Sequence, residues 1–173
     1  MTLNTELSNR AQAKLIVSMF PGIHLRKLQK AMGTSFTTAR HHVDSLERDG
    51  EIVREKDRRY DRLYPAGTTD EMKAVYAVLQ SNTARRILRF LEDGTEHDMT
   101  NGDLSERLGL SKSTLSEHMT DLSRVNLVRR SVTGDGRVLY DLADREQVAR
   151  LLIAFERNFL SVAADAFIDL WDF

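Results

Sequence analysis

Apolar positions recur along this chain with the period of a helix, in blocks separated by turn residues. Between Arg10 and Phe20, Ala11, Leu15, Ile16 and Met19 fall on one side of a predicted helix, which Pro21-Gly22 ends. A shorter helix is expected from about His24 to Met32. Gly33-Thr34 then makes a turn, and Ser35 stands where a side-chain oxygen caps the next helix. Phe36, Ala39, Val43 and Leu46 recur at three- and four-residue spacing and mark the buried face of that helix. Gly50 stops it, Ile52-Val53 opens a strand, and a hairpin closes on Leu63-Tyr64.

The same pattern occurs twice. Displaced by 76 positions, Leu28 to Tyr64 lies over Leu104 to Tyr140 without a gap. Gly33 meets Gly109, Ser35 meets Ser111, His42 meets His118, Leu46 meets Leu122 and Arg54 meets Arg130. Apolar positions correspond as well: Met32 with Leu108, Ala39 with Leu115, Val43 with Met119. A shared order of turn, cap, helix face and hairpin end reads as a tandem repeat, each copy a small domain. Helix, turn, helix and hairpin is the order of a winged helix-turn-helix.

Between the copies, Asp70 to Gln80 is predicted as a linker helix with Met72, Val75, Tyr76 and Leu79 on one face, capped by Thr68 or Thr69. Thr83 to Glu92 matches the first helix, a loop spans Thr95 to Asn101, and helices follow at Gly102 to Leu108 and Ser111 to Arg124. Gly134-Asp135-Gly136 suits the tip of the second hairpin. Asp144 to Asp172 is the longest helical segment and carries a wide apolar stripe. The expected fold is mainly α with small β wings. It comprises a first winged helix-turn-helix domain (1–66), a linker helix (67–81), a second such domain (82–143) and a C-terminal dimerisation helix (144–173).

Composition narrows the chemistry. With 173 residues and no cysteine, neither a disulfide framework nor a thiolate metal site is available. The chain opens on a polar stretch without a signal peptide, and no apolar run reaches the roughly 18 residues of a membrane span. A cytoplasmic protein without membrane contact is expected. Net charge is −1, but its distribution is uneven. Residues 1–66 hold 12 Lys and Arg against 8 Asp and Glu, whereas residues 141–173 hold 3 against 7. A basic first domain and an acidic tail point to one surface for polyanions and another for a different partner.

Thr37, Arg40 and His41 project from the polar side of the first motif's second helix, with groups suited to base edges and phosphates. A solvated helix face is the plain alternative, and Asp44 on the same side would repel phosphate. Arg54, Lys56, Arg58, Arg59 and Arg62 place five cations in nine positions of the first hairpin, interleaved with Glu55, Asp57 and Asp61. Phosphate contact is the preferred reading over a salt-bridged surface. In the second copy Lys112, Ser113 and Ser116 are the base-facing candidates, and Arg129, Arg130 and Arg137 the backbone contacts; Glu117 and Asp121 lie near that face. His42 and His118 sit on the flank of the buried face and read as packed histidines. His24, His41 and His97 show no ligand spacing. Leu152, Phe155, Phe159, Val162, Phe167 and Trp171 serve a dimer interface, a ligand pocket or cover for the linker helix, dimerisation being preferred. No phosphate loop, nucleophile elbow or buried carboxylate pair appears, so neither an enzyme nor a cofactor is expected.

The segment SKSTLSEHMTDLSRVNLVRR, Ser111 to Arg130, resembles the helix-turn-helix of ArsR/MarR-type winged-helix regulators. The paired form with linker and long last helix resembles tandem winged-helix regulators common in archaea. The resemblance implies sequence-specific binding of double-stranded DNA by a homodimeric transcription regulator, with the second helix of each motif in the major groove. It departs from metal-sensing relatives, having no Cys and no His after His118. Two other readings stay open: an adaptor for the transcription machinery, and a regulator gated by a ligand between the linker and last helices.

Overall fold

The computed structural model describes residues 8–57, 60–94 and 99–168, the side chains of the last helix to Glu156. Among these the chain is mainly helical, with two small antiparallel sheets. It divides into two compact units, Met1–Gln80 and Ser81–Phe173.

In the first unit α1 (Asn9–Met19) leads to a two-residue strand β1 (Ile23–His24), then α2 (Leu25–Ala31) and α3 (Phe36–Arg48). The hairpin β2 (Ile52–Asp57) and β3 (Tyr60–Pro65) follows, then α4 (Asp70–Leu79). β3 lies between β1 and β2, pairing antiparallel with both. Caps set the helix starts: Ser8, Ser35 and Thr69 each accept a backbone N–H from the first turn of α1, α3 and α4. Ala13, Ile16, Val17, Ile23, Leu28, Ala39, Val43, Leu46, Ile52 and Leu63 form one core. Tyr64, on the other face of β3, is buried and reaches α4, its hydroxyl donating to the Lys73 carbonyl at 3.4 Å. Gln80 Nε2 donates to the Pro21 carbonyl at 3.0 Å, so both ends of α4 are tied to this unit.

The second unit repeats the order. α5 (Asn82–Glu92), β4 (Met99–Thr100), α6 (Asn101–Leu108), α7 (Lys112–Arg124), β5 (Val128–Val132) and β6 (Val138–Leu142) precede the long α8 (Arg145–Ile168). β6 is central between β4 and β5. Ile87, Leu88, Leu91, Leu104, Leu115, Met119, Leu122 and Val128 are buried, and Val148, Leu152 and Phe155 of α8 join them. Arg145 fixes the start of α8 by donating to the Leu91 and Glu92 carbonyls at 3.0 and 2.6 Å, closing the end of α5.

The 76-residue displacement holds at both ends of α3 and α7 and at β1 and β4. It also holds for two local devices. Gly50 and Asn126, which follow the second helices, both take positive φ (69° and 57°), and Asn is the non-glycine residue that tolerates this best. Gln29 and Ser105 both donate to the carbonyl preceding the cap of that helix, on Thr34 at 2.8 Å and on Leu110 at 2.6 Å. Different side chains thus lock the same turn.

Four expectations need correction. The residues Ile23-His24 and Met99-Thr100 are short strands, not helix start or loop, because the third strand of each sheet offers them a free edge. The ungapped match fails at the last strand. Ile23 pairs with Leu63, whereas its counterpart Met99 pairs with Tyr140 rather than Leu139, so the second hairpin has slipped by one residue. Leu63 and Leu139 are both buried, whereas Tyr64 is buried and Tyr140 only partly so. Leu15 is 45 % exposed on the outer side of α1. Phe36 is 44 % exposed, since it heads the stripe one turn before Ala39 reaches the core.

Candidate nucleic-acid interface

In each unit the second helix of the turn presents a polar face beside the hairpin. On α3 the core takes Ala39, Val43 and Leu46, leaving Thr37, Arg40 and His41 exposed together. The Ser35 hydroxyl accepts the Thr38 N–H at 3.1 Å, which fixes the first turn and with it the aim of Thr37. His42, next to His41 with ring centroids 5.6 Å apart, is half-buried.

Arg54 is not a free cation. Only 18 % of its side chain is exposed, and its guanidinium is bound by Asp44, by Glu47 at 3.0 Å and by Asp61 at 3.8 Å. Burial and these carboxylates act against each other on Arg54, and the carboxylates prevail, holding its pKa above the ordinary value. The cluster joins the hairpin to α3. It also absorbs the negative charge of Asp44, which the sequence had set against phosphate binding on this face. Arg62 is likewise 15 % exposed, bound to Asp57 at 2.6 Å and donating to the Gly22 carbonyl at 3.2 Å. Lys56 is exposed between them. Arg58 and Arg59 lie outside the described residues, as does His97.

The second unit distributes its charges differently. Ser111 caps α7 as Ser35 caps α3, accepting the Thr114 N–H at 3.1 Å. Lys112, Ser113 and Ser116 are exposed on the same helix, and Ser116 accepts a hydrogen bond from Asn101 Nδ2 at 2.9 Å. The positions matching Asp44 and Glu47 are Thr120 and Ser123, so the two helix carboxylates that bind Arg54 have no counterpart here, although Asp141 stands opposite Arg129 across the hairpin. Arg129 and Arg130 are exposed on β5, with no carboxylate bound to them among the described residues. Arg137 is exposed near the tip, where it holds Asp135 at 2.7 Å. Thr133 and Arg137 together keep the Asp135 carboxyl below its usual range.

The chemistry on offer is hydrogen bonding and charge, not bond making. Among the described residues no three His, Asp or Glu side chains converge to hold a metal, and no helix is long and apolar enough to cross a membrane. The residues expected at a dimer interface separate. Leu152 and Phe155 are buried in their own unit, with Arg85 5.7 Å from the Phe155 ring, while Ile153 beside them is 56 % exposed. The side chains of Phe159, Val162 and Phe167, and all of Trp171, lie outside the described residues.

Sequence reasoning found the exposed polar groups and missed the Arg54 cluster. The sequence hints at it only in that Asp44 and Glu47 of the first copy are replaced by Thr120 and Ser123 in the second.

Residues 81–130, from the cap of α5 into β5, match the family described as bacterial regulatory protein, arsR family. No curated protein matches the chain. Among solved structures, reduced HlyU from Vibrio cholerae is 29 % identical over 50 % of this chain and 86 % of its own, with a TM-score of 0.42. The homodimeric winged helix-turn-helix DNA-binding domain Mb0332 from Mycobacterium bovis is 25 % identical over 58 % and 90 %, with a TM-score of 0.42. MepR of Staphylococcus aureus, in its complex with DNA, is 19 % identical over 57 % and 82 %, with a TM-score of 0.41.

Proposed function

We propose that this protein is a sequence-specific DNA-binding transcription regulator built from two winged helix-turn-helix domains. α3 and α7 enter the major groove and the two hairpins follow the backbone. The observation that carries the reading is the exposure of Lys112, Ser113 and Ser116 on α7 and of Arg129 and Arg130 on β5, the strand that packs on it, the two arginines without a bound carboxylate among the described residues. Short polar side chains on the helix suit base edges, and free guanidinium groups on the adjoining strand suit phosphates. This face lies within the span that matches the arsR family, whose members are regulatory proteins. Thr37, Arg40 and His41 read a second stretch of bases, with Lys56, Arg58 and Arg59 on its backbone. Arg54 and Arg62 act inside the first unit, holding hairpin to helix. Such a regulator works as a homodimer in the cytoplasm, its α8 helices meeting through the side that carries Ile153.

An adaptor of the transcription machinery is the alternative. What favours it is the neutralisation of Arg54 and Arg62, which leaves the first hairpin with less free positive charge than its composition promises. Affinity for a random-sequence duplex, followed against salt concentration, separates the two. A regulator loses affinity steeply with salt, and Arg129→Ala/Arg130→Ala makes the slope shallower by about 1.8, at roughly 0.9 per phosphate contact. A slope unchanged by the double substitution contradicts the assignment of these arginines. No binding at low salt contradicts the regulator reading as a whole.

A further inference from the structure

We propose that Phe36 is a specificity-determining residue that recognises the C5-methyl group of thymine. This rests on the regulator reading above. Phe36 is an apolar ring, 44 % exposed, at the start of α3, where the apolar stripe borders the polar face that carries Thr37 and Arg40. The fold does not require it there. The core below is closed by Ala39, Val43 and Leu46, the helix start is fixed by Ser35, and the matching position of α7 is Lys112. Covering such a ring on binding removes apolar surface from water, which favours an apolar contact. Its neighbours define what that ligand is. Thr37 is adjacent and Arg40 stands one turn further along, both exposed; Arg40 is directed by Asp44, 3.9 Å away. A hydroxyl and a guanidinium flanking an apolar ring form a set suited to base edges, in which the only apolar group of the major groove is the thymine methyl.

The spacing gives a second constraint. Four residues of helix rise about 6 Å, and successive bases on a strand are about 3.4 Å apart. The base step read by Phe36 therefore lies within about two steps of the one read by Arg40.

The test starts from a duplex selected by the full chain out of a random pool. Each thymine in turn is then replaced by uracil, which lacks only the methyl. At one step the wild-type protein loses about fourfold in affinity, the worth of one buried methyl. Phe36→Ala binds the thymine and uracil duplexes equally at that step, whereas Phe36→Leu keeps part of the preference. That step falls within two base pairs of the position at which Arg40→Ala relaxes base preference. Three outcomes overturn the proposal: a selected site without a methyl-sensitive thymine, an undiminished thymine preference in Phe36→Ala, or a sensitive step far from the Arg40 position. Failure to enrich any duplex sinks the regulator reading itself, and so differs from all three.

Discussion

At the residue scale, the two arginines at matching positions behave in opposite ways. Arg54 sits among Asp44, Glu47 and Asp61, while Arg130 is exposed and the positions matching Asp44 and Glu47 are Thr120 and Ser123. Arg54→Ala releases two carboxylates onto the face that carries Arg40, so DNA affinity falls although Arg54 touches no phosphate. The loss of its hydrogen bonds also lowers stability by about 1–2 kcal/mol, visible as a lower denaturant midpoint at constant slope. His24 supplies a pH dependence. Its ring is packed against Tyr60, and its Nδ1 is buried without a hydrogen-bond partner among the described residues. Burial, reinforced by Arg62 and Lys27, pushes its pKa below the ordinary 6.5, with Asp57 and the backbone of Asp61 opposing. The unfolded chain therefore takes up the proton first as pH falls. Stability contributed by neutral His24 is full above about pH 6.5 and declines below it, before the carboxylates titrate near pH 4. Thermal midpoints of His24→Asn, measured from pH 7.5 to 5.5, fall less than those of the wild type. The caps at Ser35 and Ser111 were legible from sequence because they are local. The Arg54 cluster was not, because only the folded hairpin brings Asp61 to α3.

At the element scale, local periodicity located every described helix to within about a residue at its start. It failed where an element exists only through a partner. β1 and β4 are two residues long and have no pattern of their own; their pairing with β3 and β6 creates them. The slip between the two hairpins was hidden for the same reason, since Leu63-Tyr64 and Leu139-Tyr140 look alike until their cross-strand partners are known. The stripe on α8 was legible as apolar, but its use was divided by the fold. Phe155, packed in its own unit, is a stability residue: Phe155→Ser costs about 3 kcal/mol or more. Ile153 is exposed, so Ile153→Asp leaves the unfolding midpoint nearly unchanged. It shifts the sedimentation mass toward the monomer if α8 pairs through that side. An unchanged mass contradicts that interface.

At the scale of the whole molecule, the chain holds two units whose elements come in the same order. The strand order and the turn devices correspond at a displacement of 76 positions, but the pairing of the last strand is shifted by one more. What the sequence obscured is how charge is divided between them. By composition the first unit is the basic one, yet two of its hairpin arginines are bound by acids, and the unpaired pair stands in the second. If α3 and α7 both read bases, as proposed, the site is long, and a dimer would double it. The measurement that tests this most directly is the ratio of affinities for a selected duplex and for the same bases scrambled, at one fixed salt concentration. A regulator reading bases through α3 and α7 prefers the selected duplex by about a thousandfold or more, and Arg40→Ala and Lys112→Ala each reduce that ratio. A ratio near one, with both substitutions silent, contradicts sequence reading by these helices.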